Sequence, residues 1–167
     1  KEIASFSSGV QAIMDLIGTN EDVARFDLAL VVQKGEVDVE IINRSRRKTI
    51  ESKYTRDVLK KVLLWTWSRK EDQILFSEKA IKLILSESLR LSKKYSSTIP
   101  LIQGENVRLK IAKISAAIAA RCFSTKDGIN LRILEKHAKL AVSLIEHYYD
   151  KPTIGYGAFS EIEQESG

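Results

Sequence analysis

One short run constrains this chain more than any other. Leu28 to Val32 is continuously apolar and follows directly on Glu21-Asp-Val-Ala-Arg-Phe-Asp27. A run of that kind predicts a strand buried on both faces, as in a parallel sheet. Such a strand needs neighbours, yet nearly everything after it reads as helix. The expected fold is therefore mainly α: the remnant of an α/β core, with one buried strand near 28–32, followed by an α-helical bundle. The chain opens with Lys1, which fits the back end of something larger. Residues 1–48 are expected to end the α/β core and 49–150 to form the helical unit, leaving 151–167 as a tail or linker.

The helical reading rests on periodicity and caps. Gly9 to Ile17 predicts a short helix closed by Gly18. Thr19 or Asn20 is placed to cap a second, whose Glu21 and Asp22 suit its positive end. Val37–Ile42 fits strand or helix, and the polar run Asn43–Lys48 tips it to helix. Thr55 caps a further helix striped by Val58, Val62 and Trp65. Ser77–Tyr95 carries Ile81, Ile84, Leu85, Ser88, Leu91 and Tyr95 on one side.

The next helix, about Glu105–Cys122, places Val107, Ile111, Ile114 and Ile118 on one face. Arg108, Ala112, Ser115 and Ala119 lie on the neighbouring face, whose small side chains predict burial. Ser124–Asn130 is a loop, and Leu131–Tyr149 the last long helix. Pro152, Gly155 and Gly157 predict an irregular end. Short connections imply about four antiparallel helices.

Composition narrows the class. Hydrophobic residues make up 44% and charged ones 29%, as in an ordinary globular domain. No stretch has the length of a membrane span, no signal-peptide pattern is present, and no membrane partner is expected. A single cysteine, Cys122, has no disulfide or metal-ligand partner and fits a reducing cytoplasm.

The net charge of +5 is unevenly spread. Residues 1–43 hold three basic and eight acidic side chains, and residues 44–70 hold ten basic and two acidic. The basic block could face nucleic acid. A solvated surface, or one meeting the acidic part of a neighbouring copy, is the preferred reading, because no aromatic residue punctuates Arg44–Lys53.

Several chemistries are closed off. None of the eight glycines stands in a Gly-x-x-x-x-Gly-Lys-[Ser/Thr] phosphate cradle. His137 and His147 are ten apart, which suits neither metal ligation nor catalysis on a helix, and no metal site is expected. Trp65 and Trp67 read as core residues at a helix end. Two arginines remain: Arg25 ahead of the apolar run, and Arg108 at a helix start. Each has a bland alternative, an Arg25–Asp22 surface pair or simple exposure of Arg108.

The wording around those arginines carries a resemblance. Glu21-Asp-Val-Ala-Arg-Phe-Asp-Leu-Ala-Leu-Val-Val32 resembles the Ser-Arg-Phe-Asp segment of the MCM-type AAA+ ATPases, with Ala24 in place of the serine. Asn106-Val-Arg-Leu-Lys-Ile-Ala-Lys-Ile-Ser-Ala-Ala-Ile-Ala-Ala-Arg121 looks like that family's sensor 2 helix, with Arg108 on the sensor position. Cys122–Asp127 and Leu134–Ala141 are similar to the loop and closing helix of the same lid. The likeness runs from about Phe6 to Tyr149. Leu109-Lys110 after the sensor position and the Trp65-Thr-Trp-Ser-Arg69 stretch depart from it, as in a divergent prokaryotic, archaeal or mobile-element branch. Magnesium-chelatase-type ATPases and bacterial enhancer-dependent transcription activators belong to the same wider class, and Arg-Phe-Asp alone does not exclude them.

The resemblance implies an AAA+ core end and helical lid. It makes Arg25 an arginine finger and Arg108 a sensor arginine, both catalytic and nucleotide-binding. The ATP and Mg2+ of the full-length assembly would lie between subunits of a homo-oligomer, a hexameric ring acting on DNA. The phosphate loop would precede Lys1, so this segment alone is expected neither to hold ATP tightly nor to hydrolyse it. A transferred phosphoryl group spreads charge that an arginine supplied in trans can stabilise, by about 10³–10⁵ in rate. A rival reading is a non-catalytic DNA-binding or assembly module using the basic segment 44–70.

Overall fold

A computed structural model describes residues 6, 8–33, 35–36, 38–45, 54–104 and 106–166. Eight α-helices are found there: α1 (Gly9–Ile17), α2 (Asn20–Ala24), α3 (Val39–Ser45), α4 (Arg56–Trp67), α5 (Glu78–Lys94), α6 (Val107–Arg121), α7 (Glu135–Tyr149) and α8 (Tyr156–Ser166). Two three-residue strands, β1 (Ile74–Phe76) and β2 (Leu131–Ile133), form a parallel pair with Leu75 opposite Arg132. The mainly α class holds. No helix among the described residues is long and apolar enough to cross a membrane.

Local chemistry sets the helix ends. Thr19 Oγ1 accepts from the Asp22 N–H, Thr55 Oγ1 from Val58 and Ser77 Oγ from Ala80. α1 stops where Gly18 adopts φ 96° and returns its N–H to Met14 O. Each cap satisfies a donor or acceptor that a helix end leaves orphaned.

The core is built from α5, α6 and α7, closed by α8. Ile84 and Leu91 of α5, Val107 and Ile111 of α6, and Ala141 and Ile145 of α7 are buried together. At one end three fully buried tyrosines meet. Tyr95 stacks on Tyr156 with centroids 5.3 Å apart, and Tyr149 meets both edge-on. Tyr156 Oη donates to Ile99 O at 2.7 Å and accepts from Ile102 N–H at 3.2 Å, so no polar atom of the ring is stranded. Arg90 and Lys94 of α5 reach Glu146 of α7, and Lys94 also reaches Asp150.

Three expectations need correction. Among the described residues, Leu28–Val32 pairs with no strand. Leu28, Ala29 and Val31 are half-buried against the core, Leu30 and Val32 are exposed, and Ala29 N–H donates to Tyr149 Oη. The run is apolar because it lies on helices, not inside a sheet. The last long helix begins at Glu135, four residues later than expected, because Leu131–Ile133 bonds to Ile74–Phe76 and Ser77 N–H caps the pair on Ile133 O.

The irregular end expected after Tyr149 is instead largely the helix α8, packed on the core. Ile154 and Tyr156 are buried, and Val10 N–H donates to Ile154 O at 2.9 Å. A Cβ on Gly9 would meet Thr153 O at 2.3 Å, so α1 seats there only because residue 9 is glycine. The boundary expected at residue 48 falls outside the described residues.

Candidate functional site

Arg25 sits where α2 ends. Its N–H returns to Asp22 O at 3.2 Å, and its guanidinium Nη1 lies 3.1 Å from Asp22 Oδ1. The side chain is 80% exposed, so this pair leaves most of the guanidinium's donors facing solvent. Two residues on, Asp27 receives Lys113 Nζ of α6 at 3.0 and 3.3 Å. The arginine-bearing turn is thus tied to α6.

Arg108 lies in the first turn of that same helix and is exposed. It lines a groove of about 640 Å³ with Leu85, Ser88 and Leu89 of α5. Arg25 lines a separate notch of about 230 Å³ with Asp27, Lys110 and Lys113. Asn106 and Leu109 border both, so the two arginines stand at one end of the molecule, in adjoining clefts and not in a common one. No hydrogen bond or ion pair joins them among the described residues.

The small-residue face of α6 divides as it packs. Ser115 and Ala119 are buried, while Arg108 at the head of the same stripe is free to face outward. Ser115 Oγ is satisfied by Ile111 O at 2.6 Å.

Lys110 is the residue that sequence reasoning passed over. Only 3% of it is exposed, and Nζ donates to Leu101 O at 2.6 Å. Burial pulls its pKa down to about 8, against the attraction of Asp27. The signal was available: Lys110 falls three residues after Val107 and four before Ile114, on the apolar side of the helix. Its buried ammonium holds the 99–102 turn against α6, at the notch that Arg25 lines.

His137 is buried, and its Nδ1 accepts the Leu134 N–H at 3.0 Å as a helix-starting cap. Desolvation lowers its pKa, helped by Lys136, and Nε2 meets no partner among the described residues. It is structural. Among the described residues no group of His, Cys, Asp or Glu is arranged to hold a metal ion.

On the opposite side, α4 is fixed at its C-terminal end. Trp65 Nε1 donates to Gly128 O at 2.6 Å, Arg69 reaches Ile129 O, and the Trp65 ring meets Phe123 edge-on at 4.7 Å. Phe123 takes φ 49° to present that ring. Trp67, expected in the core, is 78% exposed. Arg46, Arg47, Lys48 and Lys53 of the basic block lie outside the described residues.

Compared with known protein families, with curated proteins and with solved structures, the chain has no match.

Proposed function

We propose that the chain is part of an AAA+-type ATPase, the segment that carries an arginine finger and a helical lid. More particularly, it is proposed to serve an MCM-like, ring-forming motor that acts on DNA. The observation carrying this reading is the pairing of exposure with fixation at Arg25. Its guanidinium is 80% exposed on a turn held by backbone bonds, and the adjacent Asp27 is tethered to the helix bearing Arg108. A residue that completes a neighbour's site must project from stiff backbone, since charge stabilisation depends on donors already in place. Resemblance of the segments at 21–32 and 106–121 supplies the class.

In this reading Arg25 meets the γ-phosphate side of a neighbour's nucleotide and stabilises the charge that develops there. Arg108, on a helix end in the lid, binds the nucleotide and follows lid movement. The guanidinium groups fit a phosphate by charge and fork geometry. Mg2+ and the phosphate loop would be supplied by parts of the assembly other than the described residues.

Arg25→Ala in the full-length protein is expected to lower ATP turnover on the order of 10³-fold or more, with assembly intact. Turnover unchanged in Arg25→Ala or Arg25→Lys overturns the finger, and unchanged turnover in Arg108→Ala removes the sensor role.

One observation favours a second reading, a DNA-binding or assembly module without catalysis: Arg56, Lys60 and Lys61 are exposed on α4 beside an exposed Trp67. Tight DNA binding by the 167-residue chain, falling steeply with salt, selects it.

A further inference from the structure

α6 meets the arginine-bearing turn along a single stripe. Asn106, Leu109, Lys110 and Lys113, at the i, i+3, i+4, i+7 spacing of one helix face, line the notch of about 230 Å³ whose other wall holds Arg25 and Asp27. The two lysines differ in their surroundings. Lys113 is 64% exposed and donates to Asp27 at 3.0 and 3.3 Å. Lys110 is buried, and Leu101 O at 2.6 Å is the one acceptor its ammonium reaches among the described residues.

Packing alone does not ask for a lysine at that place. An ammonium carries three donors and is costly to take out of water, and a methionine would fill similar space without that cost. What the ammonium adds is charge. Asp27 attracts it, and among the described residues lining the notch Asp27 carries the one carboxylate. Asp27 is thus the shared counter-ion of two lysines three residues apart on α6. Its exposed pair with Lys113 is weak and screened by salt, whereas a charge shielded from water is screened less. Lys110 is also the better anchored, because Leu101 O belongs to a turn whose Ile99, Leu101 and Ile102 are buried.

We propose that Lys110 is a positioning residue for Arg25. Its ammonium, anchored on Leu101 O, holds Asp27 toward α6 and so fixes the turn from which Arg25, two residues earlier, projects. It also keeps the nearby carboxylate occupied. Arg25 accordingly pairs with Asp22 at 3.1 Å on its own helix end, while Asp27 stays engaged by α6. This inference rests on the reading of Arg25 as the finger.

Two variants separate the charge from the bond. Lys110→Met removes both, and Lys110→Gln keeps a donor for Leu101 O while removing the charge. In the full-length protein each is expected to lower kcat for ATP about ten- to a hundredfold, the scale of a misplaced group. KM for ATP and assembly size by sedimentation should stay unchanged. In an Arg25→Ala background the same changes should lower turnover no further, because they act through the arginine. Relief of desolvation offsets the bond lost in Lys110→Met, so denaturant midpoints should not fall in step with turnover. Unchanged kcat in both variants, or the same fall repeated on top of Arg25→Ala, overturns the proposal. Position is read apart from turnover by hydrogen exchange. The Arg25 and Phe26 amides, bonded to Asp22 O and Val23 O, should exchange about tenfold faster in Lys110→Met while the middle of α7 is unaltered. Unaltered exchange at those two amides overturns the placement by Lys110 alone. Faster exchange together with normal turnover in Arg25→Ala supports the placement and counts against the finger alone.

Discussion

Replacing Tyr156 by phenylalanine isolates a single hydroxyl on which the chain's closing turn depends. The ring would keep its stack on Tyr95 and its edge contact with Tyr149. What disappears is a donor to Ile99 O and an acceptor for Ile102 N–H, both in the buried 99–102 turn. A buried N–H left without a partner costs about 1–3 kcal/mol. For a domain of this length each kcal/mol lowers the midpoint by about 2–4 °C, so a fall of about 2–12 °C is expected in calorimetry. Hydrogen exchange adds a local readout, because the Ile102 amide should lose protection while amides in the middle of α7 change only with global stability. Tyr156→Ala, which also removes the ring, should cost about 3–5 kcal/mol. A Tyr156→Phe change below about 0.5 kcal/mol with Ile102 exchange unaltered would place α8 outside the core and refute the packing argument.

Three further outcomes follow from the buried and paired charges. His137 has a pKa lowered in the fold, so the neutral ring is the form the structure holds. Its contribution is present above the unfolded value of about 6.5 and is lost as pH falls through the folded one, and His137→Gln should flatten denaturant midpoints across that interval. Lys110 titrates at about 8 in the fold against 10.5 unfolded, so stability should rise with pH between those values; Lys110→Met should abolish that slope in urea titrations. Asp27→Asn breaks an exposed pair with Lys113 and should change stability by less than about 1 kcal/mol. If the pair positions Arg25, ATP turnover of the full-length protein should fall nonetheless, and unaffected turnover would limit Asp27 to the surface.

Features decided by neighbours in sequence were legible. Thr55, Ser77 and Gly18 mark helix ends through bonds spanning three or four residues, and each acts where its type predicts. Features decided by distant contacts were not. Leu131-Arg-Ile133 merges into the apolar rhythm of α7, and only its partner Ile74–Phe76 makes it a strand. Gly157 reads as a helix breaker, yet it lies in the first turn of α8 where a Cβ would stand 2.8 Å from Asp150 Oδ1, so its small size admits a close approach. Leu28–Val32 shows the converse: its apolarity marks Leu28, Ala29 and Val31 as packed on the core but not the kind of neighbour they meet. At the candidate site both arginines were visible as residue types. The place of Lys110 on the apolar side of α6 was legible too, but its bond to Leu101 O and the Asp27–Lys113 tie emerge only when α6 is laid beside α2 and the 99–102 turn.

The central claim is that Arg25 acts on a nucleotide held by another copy. Its most direct test is steady-state ATP turnover of full-length Arg25→Ala and Arg25→Lys, with sedimentation of the same samples. Turnover lowered on the order of 10³-fold or more in assemblies of unchanged size is the predicted result. Turnover equal to that of the unaltered protein, in assemblies of that same size, would contradict it.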